Sequence, residues 1–252
     1  MMEDLEFHFE NKNFVVVGAS SGLGRRIALD LAQSGAKVLA VGRNKQRLEA
    51  VESEFPDKIF PVSLDVLNAE DGDWESILSE FVSEYGKFHG AVYTAGITGV
   101  SAIRSYDKQL AKSIVDTSLW GMINFLHMIS KKKYAEKKSS YVSFASVAAH
   151  CGNKGFFAYS AAKGAVISAV RSIAKEISRE GHRINSISPG WVQTEMTDGA
   201  EGAQAEGFGR YLLGIGRPED VSGMALFLLS DAARWITGTD IVIDGGFVLG
   251  KH

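Results

Sequence analysis

Short apolar runs rich in β-branched residues recur along this chain, and a stretch with helical spacing separates the first ones from each other; this alternation limits the possible folds more than any other feature. The runs are FVVVG (14–18), KVLAV (37–41), IFPVSL (59–64), GAVYTAG (90–96), SYVSFAS (140–146), RINSISPG (183–190) and DIVIDGG (240–246). After the first, Leu23, Ile27, Leu31 and Ala32 recur at helical spacing. Further helices are expected around 45–54 and 74–85. Strands apolar on both faces and separated by helices predict a parallel sheet covered on both sides. The expected fold is therefore α/β, a doubly wound parallel sheet of the Rossmann type, in a single domain over 1–252. No linker, repeat or low-complexity block interrupts it. One long irregular region, EMTDGAEGAQAEGFGRYLLG (about 195–214), is expected to be a substrate loop.

With 252 residues, 45% of them hydrophobic, the chain can bury a sizeable core. A formal charge of −3 argues against nucleic acid or an anionic membrane as partner. The basic run KKKYAEKK (131–138) follows a helical-looking segment and suits a solvated helix end. A single cysteine, Cys151, fits a reducing compartment, and no apolar stretch reaches the ~18 residues of a membrane span. The start, MMEDLEFHFENKN, has no continuous apolar core, so no signal peptide is visible and a cytoplasmic location is expected. His150 and Cys151 lack partners at metal-ligand spacing, so no metal is expected.

Between the first strand and the first helix lies VVVGASSGLG, with Gly18, Gly22 and Gly24 spaced G-x3-G-x-G. Glycines there let the backbone approach a pyrophosphate while the helix N-terminus offers unpaired N–H groups. Three glycines alone also fit a plain tight turn; the strand-to-helix position favours the nucleotide reading. The whole loop, with Ser20, Ser21 and Leu23, is the expected cofactor cradle. The second strand ends in Gly42 and Arg43, where an NAD site would carry an acid. Arginine pairs well with phosphate, which points to NADP(H), with Ser21 and Arg25 as further phosphate contacts. An exposed arginine opening a helix is the plainer alternative.

With these residues the sequence resembles the short-chain dehydrogenase/reductase family nearly end to end, through GASSGLG, LDV, TAG, YSAAK, NSISPGWVQT, GRPEDV and ITGTDIVIDGG. The ending is similar to the branch of 3-oxoacyl-carrier-protein reductases and many sugar, polyol and steroid dehydrogenases. The resemblance implies Tyr159 as general acid/base, Ser146 holding the substrate oxygen, and Lys163 bonding the nicotinamide ribose. It also implies Asp65 and Val66 by the adenine, Ala95 and Gly96 flanking the cofactor, and Pro189 and Gly190 passing the nicotinamide. Val192 and Thr194 would fix the carboxamide. Physics agrees: at an effective dielectric of about 20, a lysine charge about 4 Å away is worth roughly 4 kcal/mol, or about three pKa units. Lys163 is therefore expected to bring the phenol from about 10 towards neutrality.

Two positions depart from the family pattern. Thr94 replaces the asparagine of N-A-G, and Ser118, in DTSLWG, replaces the asparagine that helps hold the lysine through water. Ser118 is thus a candidate member of the catalytic set. His150 and Trp191 are the candidate substrate contacts, with Phe156 and Tyr211 serving either the same pocket or ordinary packing. Arg104, Arg171 and Lys175 are candidates for receiving an acidic carrier. Ala161, Ala165 and Ala169 on the YSAAK helix would allow close helix approach, and the resemblance implies a dimer or tetramer there.

The expected activity is hydride transfer between NADP(H) and a carbonyl or secondary alcohol on a small molecule, such as a 3-oxoacyl thioester, keto-sugar or other ketone. Two other readings stand beside it. One is a catalytically weak NADP(H)-binding sensor or partner of the same fold; the other is a transient redox step serving epimerisation or dehydration.

Overall fold

The computed structural model describes residues 6–195 and 211–250. Seven strands form one wholly parallel sheet: β1 (Asn13–Val17), β2 (Lys37–Gly42), β3 (Ile59–Ser63), β4 (Phe88–Tyr93), β5 (Ala135–Phe144), β6 (Arg183–Pro189) and β7 (Asp240–Ile243). Their order is β3-β2-β1-β4-β5-β6-β7, so the winding reverses between β1 and β4. Crossovers are made by α1 (Gly22–Gln33), α2 (Lys45–Glu52), α3 (Asp71–Tyr85), α4 (Lys108–Val115), α5 (Gly121–Ile129), α7 (Phe157–Ile177) and α8 (Pro218–Leu229), with a short α6 (Ala148–Cys151) after β5. All seven expected strands are present in a single-domain Rossmann-type fold.

β1 shows why the apolar runs must be central strands. Every residue of it is buried, and alternate side chains serve opposite layers. Phe14 and Val16 pack with Ile27 and Leu31 of α1 and Val221 and Ala225 of α8; Val15 and Val17 pack with Trp74 and Leu78 of α3, Phe125 of α5 and Val166 of α7. Each such side chain removed from water contributes about 1.5–3 kcal/mol, which fixes both faces at once. α4 packs separately on the start of α7, through Ala111 and Ile114 against Ala158 and Ala162.

Between α4 and α5, Asp116–Trp120 forms a π-helical turn, closed by the Gly121 N–H donating to Asp116 O. The widened turn leaves the Thr117 carbonyl to accept from the Tyr93 hydroxyl at 2.7 Å. A Cβ on Gly121 would lie 2.4 Å from that hydroxyl oxygen, so the last residue of DTSLWG must be glycine. The strand end at Tyr93 and the turn carrying Ser118 are thereby locked together.

The segment expected as a substrate loop lies mostly outside the described residues; its described parts are Glu195 and 211–214. No helix among the described residues is long and apolar enough to cross a membrane.

Candidate active site

A cleft of about 250 Å³ opens along the C-terminal ends of the strands, across the point where the winding reverses. Its walls bring together residues from most of the chain: Gly18, Ser20, Ser21, Gly22, Leu23, Gly24, Arg43, Asp65, Val66, Ala95, Gly96, Ser146, Tyr159, Lys163, Pro189, Gly190, Val192 and Thr194. Those are the cofactor residues expected from sequence, with Ser146. Leu64 of LDV and Thr117 of DTSLWG also line it, as do Leu67, Ile97 and Glu195, which belong to no motif.

The glycine wall works through close approach. A Cβ on Gly24 would stand 2.2 Å from Gly18 O and 2.5 Å from Thr94 Oγ1. The Thr94 hydroxyl is there because it donates to Val17 O at 2.8 Å, alongside the Thr94 N–H at 2.9 Å. Thr94 thus ties β1 to β4 at the turn. Ser21 caps the start of α1 through its backbone, its side chain making no cap hydrogen bond, and the first turn of α1 holds no acid. The Gly22 N–H donates to Glu195 Oε2 at 3.1 Å, so a carboxylate of the chain itself rests on the helix N-terminus.

At the end of β2, a Cβ on Gly42 would meet Ser20 Oγ at 3.1 Å, and the next side chain, Arg43, is exposed on the cleft wall. Arg25, expected as a further phosphate contact, is instead ion-paired with Glu54. The Asp65 carboxylate accepts from the Leu67 N–H at 3.2 Å and the Asn68 amide at 3.1 Å, which fixes the loop after β3.

At the other end, β5 delivers Ser146 and α7 delivers Tyr159 and, one turn on, Lys163. The Ala148 N–H donates to Ser146 Oγ at 3.2 Å, leaving the hydroxyl proton for another acceptor. Lys163 is 5% exposed and donates to Phe144 O at 2.8 Å; its Nζ lies 5.7 Å from the centre of the Tyr159 ring. Burial pushes the Lys163 ammonium down to about 8. Burial also raises the Tyr159 phenol, with the Ser146 hydroxyl acting the other way. Burial is the larger influence on the Tyr159 phenol here, and the Lys163 ammonium is hydrogen-bonded to a backbone carbonyl.

Ser118 lies behind the cleft surface. It is 1% exposed, and its Oγ has no hydrogen-bond partner among the described residues. A Cβ on Gly96 would lie 3.4 Å from Lys163 Nζ and 3.6 Å from Ser118 Oγ, so both groups face the same small space.

Neither expected substrate contact reaches the cleft wall. His150 is bonded to Asp240 and Ser188, at the β6–β7 side. Trp191 is held by its backbone: its N–H donates to the Tyr211 hydroxyl at 3.1 Å, and Tyr211 stacks on Phe247. Sequence placed both near Ser146 or the nicotinamide segment but had no means of seeing which strands they would lean on. Among the described residues no group of three or more His, Cys, Asp or Glu could hold a metal ion.

The chain matches a family model described as enoyl-(acyl carrier protein) reductase over residues 18–248. It is 33% identical over 246 residues to a 3-oxoacyl-[acyl-carrier-protein] reductase FabG of Thermotoga maritima, covering 95% of this chain and 99% of that one. A Staphylococcus aureus protein of the same name is 30% identical over 94% of this chain and 98% of its own length. Among solved structures, a short-chain type dehydrogenase/reductase from Mycobacterium ulcerans superposes with a TM-score of 0.90 at 29% identity, covering 98% of this chain and 92% of that one. One from Brucella melitensis, titled a glucose/ribitol dehydrogenase, also gives 0.90, at 27% identity and 96% and 99% coverage. With the glycine turn at one end of the cleft and the serine, tyrosine and lysine at the other, the chain belongs to the short-chain dehydrogenase/reductase family and is an oxidoreductase of the carbonyl/alcohol class.

Proposed function

We propose that the protein reduces a ketone to a secondary alcohol with NADPH, Tyr159 supplying the proton. The observation that carries this reading is the meeting of Ser146, Tyr159 and Lys163 at one end of a cleft whose other end is the glycine turn. The residues fit a dinucleotide: Gly18 and Gly24 let the turn pack tightly against itself and Thr94 on the cleft wall, and the Gly22 N–H already accommodates a carboxylate. When bound, the cofactor supplies the hydride to the carbonyl carbon. Ser146 donates to the carbonyl oxygen. Tyr159, raised by burial, is protonated at neutral pH and gives that proton to the oxygen as negative charge grows there. Lys163, lowered to about 8, sits close enough to neutrality to exchange protons, and the Ser118 hydroxyl is a second polar group in the same space.

Arg43 supports NADP(H) over NAD(H), because the β2 terminus offers a guanidinium and no carboxylate. A 3-oxoacyl thioester is the first substrate to test, given the relatives' names. Keto-sugars and other ketones follow, with the 195–214 segment as the selecting element. Of the three cations considered for an acidic carrier, Arg104 stands in the β4–α4 connection, on the site's side; Arg171 and Lys175 lie two or more turns beyond Lys163 along α7. Ala161, Gly164 and Ala165 on α7, with open space at Gly164, support a homotetramer or dimer, and a reducing compartment, the cytoplasm, suits its single cysteine.

The test is NADPH oxidation over 3-oxoacyl thioesters, keto-sugars and cyclic ketones. One NADPH consumed per ketone reduced, at a rate about 10²–10⁴-fold lower in Tyr159→Phe, is expected. NADPH binding with no turnover on any of them would return the protein to the sensor reading; product without net NADPH loss would indicate a transient redox step.

A further inference from the structure

Between Ser146 and Tyr159 the chain leaves the sheet, makes the four-residue α6, and returns as the start of α7. Over 147–156, backbone bonds run from Val147 N to Pro189 O, from Ser101 N to Gly155 O, and within the turn itself. His150 is the only side chain of that stretch, among the described residues, to hydrogen-bond to the sheet.

What it bonds to is unusually polar for a sheet interior. Ser186 and Ser188 alternate along β6, so both point to one face, and Asp240 opens β7 in register with Ser186. The Asp240 side chain is only 4% exposed. It accepts from Ser186 Oγ at 2.5 Å, from Ser188 Oγ at 2.8 Å and from His150 Nε2 at 2.9 Å. The single proton of Ser188 goes to Asp240, so Ser188 Oγ accepts the 3.2 Å contact from His150 Nε2. That network assigns a proton to Nε2. A carboxylate so deeply buried is held in place by its donors, and charge-assisted bonds of this kind are short and directional. The arrangement is not a nucleophilic triad, because the serine and the carboxylate share one imidazole nitrogen.

We propose that His150 and Asp240 are positioning residues for Ser146. Asp240 grips His150, His150 fixes the far end of α6, and the Ala148 N–H at the near end of α6 sets the direction of the Ser146 hydroxyl. The substrate-facing group is thereby aimed from β7, outside the cleft. The proposal rests on the carbonyl-reductase reading for its catalytic consequence and on geometry alone for the anchor.

The experiment compares wild type with His150→Ala, His150→Gln and Asp240→Asn, using ethyl acetoacetate and NADPH as probes, and follows amide exchange of peptides spanning 147–156. Glutamine places an amide N–H near the position of Nε2 and so keeps the donor. In His150→Ala, kcat is expected to fall about tenfold or more with the NADPH dissociation constant within about twofold. Exchange over 147–156 should speed up while α8 is unchanged. Asp240→Asn should do the same, and His150→Gln should restore both readouts. Wild-type exchange in His150→Ala, or failure of His150→Gln to recover what alanine loses, would overturn the anchor. If exchange responds as expected and wild type reduces ethyl acetoacetate but kcat does not change, the positioning role is overturned. If wild type reduces no ketone at all, the function reading fails, and the exchange data still decide the anchor.

Discussion

The wall made by β1, α1 and β2 is rich in glycine: Gly18, Gly22, Gly24 and Gly42 all line the cleft there. Across from it, at the ends of β5 and α7, the lining groups are a hydroxyl, a phenol and an ammonium held by burial and backbone hydrogen bonds. The first wall is specified by the room it leaves. The second is specified by which atoms it presents and in which protonation state. Substitutions that add bulk should ruin one wall, and substitutions that delete single atoms should ruin the other.

The largest effect belongs to the second wall. Tyr159→Phe deletes one oxygen; turnover should fall about 10²–10⁴-fold while melting temperature and NADPH affinity hold. Near-full activity on the substrate found would break the contrast. On the first wall, Gly24→Ala adds one methyl against Gly18 O, which must shift backbone; a stability loss of about 3 kcal/mol, read by denaturant melts, and loss of most NADPH affinity are expected. Gly72→Ala is the control: nothing lies within 4 Å of its Cβ in α3, so it should be stabilising by about 0.4–1 kcal/mol. Next, Arg43→Ala should erase an NADPH-over-NADH preference of about 1.5–3 kcal/mol, measured as a ratio of dissociation constants. Equal constants in the wild type would remove the argument.

Smaller effects sharpen the comparison. Ser118→Ala removes a buried hydroxyl that shares its space with Lys163 Nζ, so kcat should fall while stability changes by no more than about 1 kcal/mol. Last, the N-terminal ends of β4 and β6, opposite the cleft, hold two histidines that need to be neutral. His89 Nδ1 accepts from the Asn13 N–H and His182 Nδ1 from the Ser139 N–H, and burial lowers both pKa values. The unfolded chain then binds more protons, so their contribution is full above the ordinary histidine value of about 6.5 and is lost as pH falls below it. Melting temperature should drop across that window, and less so in His182→Asn, whose amide oxygen still accepts.

How much could be read beforehand follows the same division. Central strands were legible because residues such as Phe14 through Val17 must be apolar on both faces. The early start of β5 was not: Ala135–Ser139 is mostly polar and pairs with β4 across a register shift between Phe88 and Gly90. Glycine spacing and the tyrosine–lysine interval are local and survive in one dimension. The π-helical turn beneath Ser118, the pairing of His150 with a residue ninety positions away, and the burial that raises Tyr159 all depend on which elements become neighbours.

The carboxylate of Glu195 on the Gly22 amide changes what arrival at the glycine turn means. An anion arriving at the Gly22 amide would have to displace the carboxylate already seated on it. Because the resident is covalently attached, its effective concentration is set by the chain and not by the solution, so dilution cannot wash it out. Occupancy of the turn thus becomes an exchange of like charges. The net gain of negative charge at the α1 terminus is smaller than a bare turn would register, and added salt has correspondingly less to screen.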